Sequence, residues 1–147
     1  MAEISPNFEL KDHRGELHRS EDFRGKKVLL SFHPLAWTKL CADQMLSLEH
    51  NHGALSDRGA VAVGVSVDPV PSKGAWADSL EIRKTPLLSD FWPHGKLAED
   101  LGIFREEDGF SERANIILGE NGEVVFEKVY PISELPDMDE ILEFLSG

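Results

Sequence analysis

The chain contains one cysteine, Cys41, and the placement of this residue makes its thiol a candidate nucleophile. Cys41 follows an apolar run at residues 28–32 and opens an amphipathic segment of helical length. The unpaired amides and the positive end of a helix favour thiolate over thiol, and the thiolate is the reactive form. A lone thiol cannot form a disulfide within its own chain. Cys41 is therefore either a nucleophile or a small buried hydrophobic residue.

Composition limits the class of protein that this thiol can serve. The 147 residues are 41% hydrophobic and 29% charged, which is typical of a soluble globular protein with a sizeable core. We expect residues 1–147 to form a single domain, because no repeat, low-complexity tract or linker interrupts them. The formal net charge of -12 repels phosphate groups, so neither nucleic acid nor an anionic membrane is an expected partner.

The ends and apolar runs of the chain predict a cytoplasmic location. Residues 1–6 have neither a basic start nor an apolar stretch long enough for a signal peptide, and no run approaches transmembrane length. An unpaired cysteine suits a reducing compartment, where thiols stay available for chemistry.

The elements that position Cys41 follow from the alternation of apolar runs and turn signals. Polar residues 12–15 predict a tight turn within an N-terminal β-hairpin. The continuous apolar runs at 28–32 and 61–67 predict central parallel strands that are covered on both faces, with a helix from about 38 to 57 between them.

The second half of the chain continues this alternation. The predicted elements are a helix at 72–82, a strand at 86–88 leading toward residue 90, a helix at 95–101, strands at 114–118 and 124–126, and a closing helix after Pro136. Asn121-Gly122 between the last two strands is a strong hairpin signal, so these strands should be antiparallel. The sequence therefore predicts an α/β fold in which helices flank a central mixed β-sheet, with an N-terminal β-hairpin.

This element order, with a cysteine where the first main strand passes into its helix, resembles the thioredoxin fold. Thioredoxin-type oxidoreductases carry Cys-x-x-Cys at this turn, whereas here Thr38 takes the first position. The pattern Pro-x-x-x-Thr-x-x-Cys, formed by Pro34, Thr38 and Cys41, resembles the active-site signature of the peroxiredoxin family. Together with the segment 90–93, the lone cysteine most resembles the one-cysteine bacterial branch related to alkyl hydroperoxide reductase E.

The resemblance implies a thiol peroxidase. In this interpretation the Cys41 thiolate attacks a hydroperoxide and becomes a sulfenic acid. Arg113 falls where the family places its active-site arginine, and we expect Arg113 and the Thr38 hydroxyl to stabilise the transition state. Pro34 lacks an amide hydrogen and shields the pocket from water. Gln44 stands where the family often has an amide or carboxylate that hydrogen-bonds near the arginine.

Each of these residues also has a structural interpretation without chemistry. Thr38 is a good helix N-cap, Pro34 can simply end a strand, and Arg113 can lie on the surface. Gln44 can lie on a solvated helix face. Taken one by one, the aromatic side chains are interpreted as core, but as a cluster beside the active site they suit the binding of organic peroxides or of a second subunit: Trp37, Phe91, Trp92 and Phe104. Of these, Trp37 is expected to bind the substrate together with Gln44.

Other chemistries have weaker support in the sequence. His50 and His52 are two apart on a predicted helix and would not share a face, so we expect no metal. Gly-x-Ser-x-Gly and a Gly-rich phosphate loop after a strand are absent, and no cofactor is expected. His33 beside Pro34 is interpreted as structural, although it and Leu101 stand where many relatives have an aromatic residue.

The single cysteine also sets the expected partners. A sulfenic acid on Cys41 cannot be resolved within its own chain, so the reductant must be an external thiol, or a thioredoxin or glutaredoxin-like protein. We also expect a homodimer. The alternative hypothesis is a non-catalytic thioredoxin-fold module that binds a partner or senses oxidant through Cys41.

Overall fold

The structure is a computed structural model that describes residues 5–147. Residues 1–4, part of the segment used above to argue against a signal peptide, lie outside the described residues. The strands are β1 Glu9–Lys11, β2 Leu17–Arg19, β3 Lys27–Phe32, β4 Ala60–Ser66, β5 Leu87–Ser89, β6 Phe104–Arg105, β7 Phe110–Ser111, β8 Arg113–Leu118 and β9 Val124–Tyr130. The helices are α1 Lys39–His50, α2 His52–Ser56, α3 Val70–Leu80, α4 Lys96–Asp100 and α5 Met138–Ser146, with a 3-10 turn at Ser20–Phe23.

The central sheet has five strands in the order β5-β4-β3-β8-β9. Strands β3, β4 and β5 are parallel, whereas β8 is antiparallel to β3 and β9 is antiparallel to β8. Strands β1 and β2 form a separate antiparallel hairpin. The structure thus confirms the predicted mixed sheet, the parallel central pair, the hairpin around Asn121-Gly122 and the N-terminal hairpin.

Side chains alternate between the two faces of the central strands, and each face supports its own apolar cluster. Leu29 and Ile117 pack with Met45 of α1, Trp76 of α3 and Ile141 of α5 on one face. On the other face, an apolar cluster includes Leu30, Ile116, Phe8 before β1 and Leu97 of α4. Since both faces are covered, the strands contain continuous apolar runs instead of alternating ones.

The helix predicted from about 38 to 57 is interrupted in the structure. Helix α1 ends at His50, and Asn51 has φ -99° and ψ 11°, a conformation outside the helical region. The Asn51 side-chain amide donates to the Ser47 carbonyl, a local bond that competes with continuation of the helix. His50 and His52 therefore belong to different helices.

The small hairpin of β6 and β7 was not predicted. Each strand has two residues, too few to show an alternating pattern. The acidic residues 106–108 lie in the turn between them, as expected for a solvated turn. Among residues 5–147, no helix combines the length and the apolar character needed to cross a membrane.

Candidate active site

Cys41 lies in the first turn of α1 and is buried, with 1% of its surface exposed. The loop that leads from β3 into this helix spans residues 33–38, and Thr38 occupies the N-cap position with extended backbone angles. Amides in the first turn of a helix have no partner one turn earlier. The fold therefore places the sulfur at the positive end of α1, in a setting that favours an anion.

Arg113 is brought to the sulfur by strand pairing. It is the first residue of β8, and its neighbour Ala114 pairs with Phe32 at the end of β3, where the cysteine loop begins. Its buried guanidinium donates from Nη1 to Cys41 Sγ at 3.3 Å. Nε donates to the Ile132 carbonyl at 2.9 Å, which fixes the plane of the group. The structure therefore holds a buried cation in direct contact with the sulfur.

Gln44 lies three residues after Cys41 on the same face of α1 and is also buried. Its Oε1 accepts from Arg113 Nη1 at 2.9 Å, and its amide nitrogen donates to Ser31 Oγ at 2.8 Å. The Ser31 hydroxyl in turn donates to Asn115 Oδ1 at 2.8 Å. A continuous line of buried hydrogen bonds therefore joins the reactive sulfur to the middle of the sheet.

Sequence reasoning missed Ser31 and Asn115. Both are polar residues inside otherwise apolar strands, and the register pairs them directly across β3 and β8. A buried polar residue in a central strand requires a hydrogen-bond partner, so their presence was the available signal. The pairing itself follows only from the strand register.

The loop before Cys41 is fixed by bonds to the segment after β4. The Ala36 amide donates to Asp68 Oδ2 at 2.8 Å, and the Trp37 indole nitrogen donates to Ser72 Oγ at 3.1 Å. Trp37 has a φ of 68°, a left-handed conformation that is uncommon for a residue other than glycine. These bonds hold the strained backbone of the loop in one geometry.

The predicted residues fall into two groups by position. Cys41, Arg113 and Gln44 are in direct contact through hydrogen bonds. Pro34 is buried in the loop, whereas the Thr38 hydroxyl donates to the Leu35 carbonyl at 2.8 Å and makes no cap bond. Trp37 is 57% exposed, so its indole presents an apolar surface to solvent.

Away from Cys41, three side chains that could bind a metal ion lie close together in the N-terminal hairpin: Asp12, Glu16 and His18. Hydrogen bonds account for this cluster, because the Asp12 carboxylate accepts from the amides of Arg14 and Glu16 and contacts His18 Nε2 at 2.8 Å. Burial raises the pKa of Asp12, but these bonds outweigh burial and the net pKa is lowered. The donors thus stabilise an ionised carboxylate within a turn.

Comparison with known proteins agrees with this geometry. The model of the AhpC/TSA family matches residues 1–127. Alkyl hydroperoxide reductase E of Mycobacterium tuberculosis is 33% identical over 138 residues, which cover 93% of this chain and 90% of that protein. A mitochondrial thioredoxin-dependent peroxide reductase of Drosophila melanogaster is 30% identical over 136 residues, covering 86% of this chain and 56% of that protein.

The fold comparison leads to the same family. The crystal structure of a reduced 2-Cys peroxiredoxin from Plasmodium vivax has a TM-score of 0.86 and 27% identity, covering 96% of this chain and 77% of that one. The matched sequence family, the fold and the buried contact between Cys41 and Arg113 all indicate the same family. The chain therefore belongs to the AhpC/TSA family and is a peroxiredoxin, a thiol peroxidase with a thioredoxin-like fold.

Proposed function

We propose that this peroxiredoxin reduces hydrogen peroxide or organic hydroperoxides with the Cys41 thiolate as its nucleophile. The observation that carries the proposal is the buried contact of 3.3 Å between Arg113 Nη1 and Cys41 Sγ. The sulfur attacks one peroxide oxygen, so that an S–O bond forms while the O–O bond breaks. The other oxygen leaves with the electron pair, takes up a proton and departs as water or an alcohol. Cys41 is left as a sulfenic acid.

In this mechanism Arg113 stabilises the charge that develops during attack. A guanidinium has several donors in a fixed plane, so it can bond to the sulfur and to a peroxide oxygen at the same time. Donors that are fixed before the reaction stabilise the transition state without reorganising. Gln44 keeps the guanidinium in place, because its side chain is itself held by Ser31 and by the Phe32 carbonyl.

Three further residues shape the space above the sulfur in our proposal. The Thr38 hydroxyl donates its proton to Leu35, so its oxygen is left as an acceptor for the O–H of a bound peroxide. Pro34 is buried and has no amide hydrogen that could hold a water molecule beside the sulfur. The exposed indole of Trp37 offers a contact for the apolar part of an organic hydroperoxide.

Recycling requires a thiol from outside the chain. The external thiolate attacks the sulfur of the sulfenic acid, hydroxide leaves and is protonated to water, and a mixed disulfide forms. A second external thiolate then attacks this disulfide and releases the Cys41 thiolate. A thioredoxin or glutaredoxin-like protein can supply both thiols. The thioredoxin dependence that is named for the Drosophila melanogaster relative supports a reductant of this class.

A stopped-flow experiment tests the peroxidase proposal. Mixing the reduced protein with stoichiometric hydrogen peroxide should give a fast change in tryptophan fluorescence, since Trp37 lies in the loop before Cys41. The phase should be absent in Cys41→Ser, which removes the nucleophile while keeping a similar size. Turnover should then be seen with a thioredoxin or glutaredoxin-like reductant. A rate equal to that of a free thiol would contradict the proposal, and rapid oxidation without turnover by any reductant would indicate an oxidant sensor.

We also propose that the protein is a homodimer. A groove of about 540 Å³ lies between the N-terminal hairpin and the segments before α3 and after β5, and Phe91 and Trp92 on its border are 46% and 79% exposed. Exposed aromatic side chains of this size are typical of association surfaces. A second copy of the chain would cover them.

Sedimentation velocity tests the dimer. The wild type should sediment near twice the chain mass of 16.4 kDa, whereas Trp92→Glu should shift the protein toward the monomer. Val125→Glu is the matched control, because Val125 is an exposed apolar residue on β9. A monomeric wild type at micromolar concentration would contradict the proposal.

Two further expectations remain part of the proposal. We place the protein in the cytoplasm, since recycling by external thiols requires a reducing compartment. We regard residues 1–147 as one domain, because both apolar clusters pack on the same five-stranded sheet.

A further inference from the structure

Lys73 of α3 is fully buried, which is rare for a lysine without an ion pair. Its Nζ donates to Ser66 Oγ at 2.6 Å and lies 3.5 Å from His33 Nε2. Within residues 5–147, no carboxylate oxygen lies within salt-bridge distance of this ammonium. Removing a charge from water without direct pairing destabilises a fold. The position of Lys73 therefore has an energetic cost that packing alone does not offset.

A line of hydrogen bonds joins Lys73 to the loop before Cys41. An ammonium can only donate, so Ser66 accepts from Lys73 and uses its own hydroxyl proton toward Asp68 Oδ2 at 2.6 Å. The same Asp68 oxygen accepts the Ala36 amide at 2.8 Å. Lys73 thus sets the direction of the Ser66 hydroxyl, and the Ser66 hydroxyl holds the carboxylate that fixes the cysteine loop.

His33, the residue before Pro34, is the other buried polar group beside Lys73. It is fully buried, its ring lies 5.1 Å from the Trp76 ring, and its Nδ1 has no hydrogen-bond partner among the described residues. Burial, together with the positive charges of Lys73 and Arg113, holds the pKa of His33 well below its usual value. The imidazole is therefore neutral and leaves the positive charge of the cluster on Lys73.

Burial acts against the charged form of Lys73. It lowers the pKa of Lys73 to about 7, although the attraction of Asp68, Cys41 and Asp90 favours the charged form. The titratable and charged groups that interact with Lys73 and His33 belong to neighbouring elements: Cys41 of α1, Asp68 after β4, Asp90 after β5, His13 of the hairpin turn and Arg113 of β8. Lys73 therefore holds its proton in mildly acidic solution, and its role is best tested at pH 6.

We propose that Lys73 is a positioning residue of this peroxidase: its ammonium orients the Ser66 hydroxyl toward Asp68, and Asp68 in turn holds the loop before Cys41 through the Ala36 amide. The inference rests on the peroxidase function proposed above. The proposal gives Lys73 of α3 and Ser66 at the end of β4 a role in the reaction, although neither residue belongs to the Pro-x-x-x-Thr-x-x-Cys signature.

Lys73→Met tests the contribution of the ammonium. Methionine removes the group that donates to Ser66 Oγ, so oxidation of Cys41 by hydrogen peroxide at pH 6 should slow about three- to tenfold. The difference between the two rates should shrink as the pH rises past about 7, where Lys73 of the wild type loses its proton. Lys96→Met is the control, because it removes the same formal charge from an exposed pair with Asp100 and should leave the oxidation rate unchanged.

Ser66→Ala tests the next link of the same chain of hydrogen bonds. This variant removes both the acceptor of the Lys73 ammonium and the donor to Asp68, so oxidation by hydrogen peroxide should also slow about three- to tenfold. The double variant Lys73→Met/Ser66→Ala should react no more slowly than the slower single variant, because both residues act through one chain. Two independent losses of structure would instead multiply their effects on the rate.

The proposal fails if folded Lys73→Met, checked by near-ultraviolet circular dichroism, is oxidised by hydrogen peroxide at the wild-type rate at pH 6. It also fails if Ser66→Ala oxidises at the wild-type rate. The peroxidase function would fail differently, through a wild type without a fast peroxide reaction or a Cys41→Ser variant that retains one. The two failures are therefore distinguishable.

Discussion

In Arg113→Met, we expect oxidation of Cys41 by hydrogen peroxide to slow by about 10²- to 10³-fold at pH 7, the typical effect of removing one fixed donor from a transition state. Arg113 contacts the sulfur at 3.3 Å, and it is the cation that we propose to bond the departing oxygen. Methionine removes the charge and the donors together. The measurement is the second-order rate constant from stopped-flow tryptophan fluorescence.

Two variants control this result. Arg113→Lys keeps the charge but loses the planar arrangement of donors, so it should recover only part of the rate. Arg105→Met removes an exposed arginine that pairs with Asp108 and Glu112, and the rate should not change. An Arg113→Met variant that remains folded and reacts within about threefold of the wild type would contradict the assigned role, since one fixed donor is normally worth more.

Between pH 7 and pH 10, we expect the free energy of unfolding of the wild type to rise relative to that of Lys73→Met. Burial lowers the pKa of Lys73 in the native protein to about 7 from its ordinary value of 10.5, so in this range the unfolded chain binds up to one proton more than the native protein. Stability then increases with pH, by at most about 1.4 kcal/mol per pH unit. Below pH 7 both states hold the proton, and the methionine variant should be the more stable protein.

Urea unfolding at several pH values measures this difference. Subtracting the free energy of unfolding of Lys73→Met from that of the wild type removes the contribution of the other titrating groups, because their surroundings are the same in both proteins. Lys96→Met should run parallel to the wild type, because its ammonium is exposed in both states. A constant difference between the wild type and Lys73→Met from pH 6 to pH 10 would show that Lys73 keeps an ordinary proton affinity inside the fold.

Most of the fold could be predicted because its signals are local. Continuous apolar runs indicate covered strands, and Asn121-Gly122 indicates a hairpin that the structure confirms. The break of the long helix at Asn51 could not be predicted, because the side-chain bond to Ser47 competes with a helical pattern that continues on both sides. The two-residue strands β6 and β7 were missed for lack of any pattern.

The site likewise contains residues that the sequence suggested and residues that it did not. A resemblance in sequence suggested the pairing of Cys41 with Arg113, although the two residues are 72 positions apart. The partners of Gln44 depend on the register of β3 and β8, which no local pattern contains. Lys73 could not be foreseen, because lysine is normally a surface residue. The role predicted for the Thr38 hydroxyl depends on its side-chain rotamer, which the sequence does not determine, and in the structure the hydroxyl donates to the Leu35 carbonyl.

The burial of Cys41 affects oxidation by a peroxide and recycling by an external thiol differently, because the two reacting molecules differ in size. A peroxide is small enough to enter beside a sulfur that is 1% exposed, whereas a protein thiol needs a much wider approach to form a disulfide. For the protein reductant that we propose, access to the sulfur therefore depends on a local opening of the first turn of α1. We expect the rate of this opening to set an upper limit on the rate of recycling by a protein thiol.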